Sequence, residues 1–189
     1  TLVGDGPPVT AAALRDDGHL AATFDNQGTA IGWDLGTCRR VFSIATTGPE
    51  ASPREFRFVG TGSLLVQRGG RVTVYAPDSG AVRLSVEDSC PANVGDADLS
   101  PDETRLVTYC YGPGRGWVRD VPSGELVATL EGIDAYGDVE DRFSRAGDRL
   151  TVFADDGDAL VWDARSGELL LRVRDLDKSD WHLPRLADD

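Results

Sequence analysis

Hydrophobic and polar residues alternate along most of the chain in short runs, and clusters of Gly, Asp, Asn or Ser separate one run from the next. Alternation with a period of two marks half-buried strands, and no segment carries the apolar spacing of a helix face. Towards the C-terminus the pattern predicts DVEDRFS (138–144), the turn RAGD, RLTVFAD (149–155), a turn at Asp156 and Gly157, DALVWD (158–163), the turn ARSG and ELLLRV (168–173). Near the N-terminus it predicts VTAAAL, the turn RDDG, HLAATF, the turn DNQG, TAIGWD, the turn LGTC and RRVFSI. Between them EFRFV, SLLVQ, RVTVYA and AVRLSVE are joined at Gly62, at Gly69 with Gly70, and at Gly80. Asp, Asn and Gly tolerate the positive φ of tight hairpins, so each group reads as a four-stranded antiparallel meander.

The meanders recur at a fixed period. IGWDLGTC (31–38), TVYAPDSG (73–80), WVRDVPSG (117–124) and LVWDARSG (160–167) align on Trp33, Tyr75, Arg119 and Trp162, at spacings of 42, 44 and 43 residues. Five residues after each comes Cys38, Gly80, Gly124 or Gly167. A constant period of this length predicts an all-β repeat architecture in which each unit buries its faces against its neighbours.

At these residues the chain resembles the WD-repeat β-propeller family. Trp33 with Asp34, Trp162 with Asp163, the degenerate Arg119 with Asp120, and LSPD at Leu99 to Asp102 carry the resemblance, which covers essentially the whole chain. It implies four complete four-stranded antiparallel blades stacked about an axis, forming part of a larger ring. The blades are residues 5–47, 48–89, 90–133 and 134–176. Residues 1–4 read as the outer strand of a preceding blade, because Thr129, Leu130 and Gly132 match Thr1, Leu2 and Gly4, and residues 177–189 read as the start of a further one. The third strands are expected to be buried on both faces, with Ile31 and Trp33, and Leu160 and Trp162, pointing into one inter-blade layer. The first and fourth blades each leave a face uncovered, around Leu160 and Leu170 in the fourth. The family's blade histidine is missing from every unit; Asp5 and Asp134 lie near its expected place. The chain is also similar to quinoprotein-like propellers, which Asp78 to Gly80 and Pro122 to Gly124 fit equally, but the two Trp-Asp pairs favour the WD-repeat reading.

Charge narrows the partners. With 32 acidic against 19 basic residues the formal net charge is −13, so the molecular field repels phosphate backbones and nucleic acid is excluded. No run reaches the roughly 20 apolar residues of a spanning helix, so no membrane insertion is expected. Of the basic residues 18 are Arg and Lys178 is the single Lys, a skew that points to GC-rich bacterial coding. Cys38, Cys90 and Cys110 lack zinc spacing, and a reducing, cytoplasmic compartment is the default. A Cys90–Cys110 disulfide is conceivable in the propeller layout; it would place the chain outside the cytoplasm and leave Cys38 free.

Candidate chemistry is sparse. His19 and His182 accompany no catalytic motif, and DLDKSD (175–180) lacks the Gly and Glu of a calcium loop, having Asp180 and Leu186 at those positions. Neither enzymatic activity nor a cofactor or metal is expected. Acidic residues recur on the innermost strands, at Asp96, Asp98, Asp138, Glu140 and Asp141. In a propeller these strands line the axis, so Asp98, Asp138 and Glu140 are candidates for a channel holding a cation, a basic peptide or a small ligand, with an enzymatic channel as the alternative reading. The loop YGPGRG (111–116) carries Tyr111 and Arg115, residue types that anchor interfaces; with Tyr136 they are the candidates for partner contact. The resemblance therefore implies a non-catalytic protein-interaction or sensing scaffold within a larger bacterial signalling protein. Its partner is another protein or another domain of the same polypeptide.

Overall fold

The computed structural model describes residues 6–46, 52–88, 94–110, 114–131, 140–153 and 158–174. They form four antiparallel sheets of four strands, each in sequential order, and the described residues contain no helix. The first sheet is β1 (Val9–Leu14), β2 (Leu20–Asp25), β3 (Thr29–Asp34) and β4 (Arg39–Ala45). The second is β5 (Glu55–Val59), β6 (Ser63–Arg68), β7 (Arg71–Tyr75) and β8 (Val82–Glu87). The third is β9 (Val94–Leu99), β10 (Arg105–Cys110), β11 (Arg115–Asp120) and β12 (Leu126–Glu131). The fourth is β13 (Glu140–Phe143), β14 (Arg149–Phe153), β15 (Ala159–Asp163) and β16 (Leu169–Val173). The chain divides into two compact units, Thr1–Glu87 and Asp88–Asp189, each holding two sheets.

The repeat seen in the sequence has a backbone counterpart. After the third strand, Cys38, Gly80, Gly124 and Gly167 all take a left-handed corner, with φ of 56, 68, 74 and 72°. After the first strand the equivalent corner is Gly18, Gly62, Glu103 or Gly147, and each donates its N–H to the carbonyl three residues earlier. Every sheet also carries one register slip between its third and fourth strands, at Gly32/Trp33, Val74/Tyr75, Val118/Arg119 and Val161/Trp162. The extra residues on the fourth strands are Val41, Arg83, Val127 and Leu170. A bulge adds local twist, and the same bulge four times gives the four sheets one shape.

In the first unit β1 lies beside β5, and the two sheets bury Ala22, Phe24, Ala30 and Phe42 against Leu64, Val66 and Tyr75. The rings of Phe24 and Phe56 meet edge to face at 5.6 Å, and the Arg68 guanidinium covers Phe24 at 5.3 Å. In the second unit β9 lies beside β13, and Val107, Tyr109, Val118, Ala128 and Leu130 pack with Leu150, Val152, Leu160, Trp162 and Ala164. Each large side chain in these layers contributes roughly 1.5–3 kcal/mol by leaving water.

Burial of the third strands departs from the expectation. β7 is buried on both faces beyond its first residue, whereas β3 and β15 alternate between buried and half-buried positions. Leu160 and Trp162 do enter an inter-sheet layer, at 0 and 1% exposure, so Leu160 is not part of an open surface. Ile31 and Trp33 are only half-buried, because the face of β3 that enters the layer carries Ala30 and Gly32 instead. Leu170 is exposed, as expected.

Candidate functional site

The Asp that ends a third strand holds the following turn. Asp34 accepts the Thr37 N–H at 2.6 Å and its hydroxyl at 2.8 Å. Asp120 accepts the Ser123 N–H at 3.0 Å and hydroxyl at 2.8 Å, and Asp163 accepts the N–H groups of Arg165 and Ser166 at 2.9 and 3.0 Å. These hydrogen bonds favour the charged form, so all three carboxyls titrate below the usual carboxylate range, Asp34 through Thr37, Asp120 through Ser123 and Asp163 through Arg165 and Ser166. Arg105 pairs with Asp120 across the strands, and Arg149 pairs with Asp163 at 2.8 Å. In the second sheet the position is Ala76, and the turn closes without a carboxylate, through the Gly80 N–H to the Ala76 carbonyl, the Ala76 N–H to the Ala81 carbonyl and the Ala81 N–H to the Ser79 hydroxyl. The recurring Asp is thus a turn staple rather than a group aimed at a ligand.

The aligned aromatic position is used in different ways. Trp33 donates its indole N–H to Thr23 Oγ1 at 2.9 Å, under the Arg40 guanidinium at 5.7 Å. Arg119 occupies the same place in the third sheet and pairs with Asp88, whose side chain is 2% exposed. Thr108 donates its hydroxyl to the other oxygen of Asp88 at 2.5 Å. Asp88 escaped the sequence reading, although an Arg in an aromatic's interior position needs a buried acid close by.

The sequence-derived candidates do not assemble into one centre among the described residues. Arg115 opens β11 opposite Glu131 instead of standing in the loop, because alternation continues back through Gly116. It is well exposed and lies 3.8 Å from the Glu131 carboxylate. Tyr111 and Tyr136 lie outside the described residues. Asp98 sits half-buried on β9 opposite Val107, while Asp96 accepts the Ala97 N–H. Glu140 stands on the neighbouring first strand β13 opposite Phe153; its side chain and the whole of Asp138 lie outside the described residues. Among the described residues no group of three or more His, Cys, Asp or Glu is placed to hold a metal ion. Cys38 is a free, exposed thiol and Cys110 is buried at the end of β10, while Cys90 falls outside the described residues.

A shallow cleft of about 380 Å³ lies in the first unit between the turn at Arg15, Asp16 and Asp17 and the segment Arg57 to Gly62. Both of its cations are already paired. Arg15 meets Asp17 at 2.8 Å, which raises the one and lowers the other, and Arg57 meets Glu55 at 2.9 Å. No helix among the described residues is long and apolar enough to cross a membrane.

No family model matches the chain, and no curated protein does. Among solved structures it is similar to the computationally designed Ika8 protein, at 20% identity and a TM-score of 0.65 over 87% of this chain. The chain spans 48% of that structure's length. The likeness is one of fold.

Proposed function

We propose that the chain is a segment of a WD-repeat β-propeller acting as a non-catalytic protein-interaction or sensing scaffold within a larger bacterial signalling protein, cytoplasmic unless Cys90 and Cys110 are disulfide-bonded. The observation that carries this reading is the fourfold recurrence of one rigid unit, with the same bulge and the same left-handed corner in every sheet. A unit repeated to this tolerance holds its connecting loops at regular intervals, and loops on a rigid frame are where binding residues concentrate. The charged side chains support the same reading. Asp34, Asp120 and Asp163 staple turns, and Arg119 and Asp88 satisfy each other, so the polar groups best fixed by the fold serve the frame. The partner surface is assigned to Tyr111 of the loop ahead of β11 and to Arg115, the residue that opens that strand, with Tyr136 as a further candidate.

The test is a pull-down from the source cell with the wild-type chain and with a Tyr111→Ala, Arg115→Ala double variant. A specific protein retained by the first and lost by the second supports the scaffold. If instead a metal or small molecule raises the melting temperature, and that rise disappears on changing Asp98, Asp138 and Glu140 to Asn, Asn and Gln, the reading is replaced by an acidic ligand channel.

A further inference from the structure

Two faces of the molecule repeat the residues of its inter-sheet layers and yet are left open. In both units the first sheet of the pair offers the face that follows its bulge, and the second offers the face bearing its aligned aromatic position. Thus Phe42 and Ala128, the first fourth-strand residues past the bulge, are 5 and 7% exposed. Their counterpart in the fourth sheet, Leu171, is 52% exposed, and on the same face Val173 is 37% exposed and Val161 half-buried. The reverse holds for the other face. Tyr75 and Trp162 are covered at 6 and 1%, and Phe58 and Phe143 pack against the same layers. On the first sheet the matching Trp33 and Ile31 are half-buried, and Leu14, the counterpart of Phe58 and Phe143, is 60% exposed.

We propose that these two faces bind each other between copies of the chain. The Leu171 face of one copy seats the Trp33 face of a second, reproducing the contact by which the third sheet takes Trp162 of the fourth. Such a contact is heterologous: different patches meet, and each copy keeps one of each kind. Apolar residues on both sides, in the register already used twice within the chain, make the second copy the occupant that fits. This inference stands on the sheet packing and concerns the 189-residue chain: neighbouring blades of a larger ring would cover the same two faces, and a failure here leaves the Tyr111 and Arg115 experiment untouched.

The test is sedimentation velocity of the complete chain over a wide concentration range, with Leu171→Lys and Ile31→Glu variants whose folding is checked by circular dichroism. Wild type is expected to associate reversibly. Each variant alone is expected to raise the dissociation constant by at least about tenfold, as loss of a buried interface anchor does. Mixing the two is expected to restore association, since one junction is then intact and the other pairs Lys with Glu. Leu14→Glu replaces Ile31→Glu if the latter does not fold. A wild-type monomer at every concentration overturns the proposal. So does undiminished association of Ile31→Glu and Leu14→Glu, which would mean that like faces pair.

Discussion

Arg119 and Asp88 form a buried ion pair in which a guanidinium replaces the aromatic ring found at the same place in the other three repeats. Thr108 completes the shell of the carboxylate. Removing one member of such a pair strands the other, at about 3–5 kcal/mol. Arg119→Ala is expected near the lower end, about 3 kcal/mol, because the Arg side chain keeps 21% exposure. The double variant with Asp88→Ala is expected to cost less than the sum of the two single changes by about 1–3 kcal/mol. Urea denaturation of the four proteins measures the coupling, and strict additivity would mean the pair is incidental.

Cys38 takes the left-handed corner that glycine takes in the other three repeats, and its thiol makes only a 3.9 Å contact with the Leu35 carbonyl. A left-handed residue with a Cβ costs roughly 1–2 kcal/mol, partly offset by the greater freedom of glycine in the unfolded chain. Cys38→Gly is therefore expected to stabilise the protein by about 0.5–1 kcal/mol. Glu103 is the contrasting case: it also has positive φ but is 6% exposed and makes other contacts, so Glu103→Gly is not expected to show that gain. Paired thermal melts compare the two substitutions.

Strand positions were legible because alternation and turn glycines are local signals. VTAAAL, TAIGWD and EFRFV coincide with β1, β3 and β5 end to end. What depends on neighbours was less visible. The register slip at Val41, Arg83, Val127 and Leu170 has no residue type in common, since a bulge is set by pairing. Burial of Trp33 was overestimated because identical motifs in repeats one and four meet different surroundings. Asp88 was missed because it belongs to no repeated motif. The candidate site was the least legible part, since loop residues such as Tyr111 leave no periodic trace and Arg115 proved to be the opening residue of a strand.

Acid is expected to loosen the turns. Asp34, Asp120 and Asp163 have folded pKa values below their unfolded ones, so their contribution is fully present above the unfolded value, about 3.9, and is lost as pH falls through the folded values. Asp102 behaves likewise through the Ser100 hydroxyl. Stability from these groups is then flat above about pH 5 and declines below about pH 4. A triple Asp34→Asn, Asp120→Asn, Asp163→Asn variant is expected to lose less on acidification than wild type in denaturant titrations from neutral to acid pH. Parallel acid profiles would remove the turns from the account.

Thiol counting decides between the reducing compartment and the Cys90–Cys110 disulfide that the propeller layout allows. Cys38 is the free cysteine among the described residues, and Cys110 is 3% exposed. Chain purified without reductant is expected to take up a single alkylating group under denaturing conditions, and all three cysteines are expected to react after reduction. Three groups without reduction would refute the disulfide and keep the chain in a reducing compartment.

The tightest sequence requirement lies where a ring covers a glycine. Gly32 on β3 is paired with Phe42 on β4, and a Cβ at Gly32 would lie 2.2 Å from the Phe42 ring. In the third sheet Tyr109 crosses Gly116 in the same manner, with 2.7 Å to its ring. Both rings belong to the inter-sheet layers, so neither has an empty place to move into. Overpacking of this kind costs about 1–3 kcal/mol, and Gly32→Ala and Gly116→Ala are each expected within that range. Relief distinguishes a clash from loss of glycine flexibility. Adding Phe42→Leu to Gly32→Ala is expected to recover part of the loss if the ring is the obstacle, whereas a double variant that only sums the two penalties would place the cost in the backbone of β3.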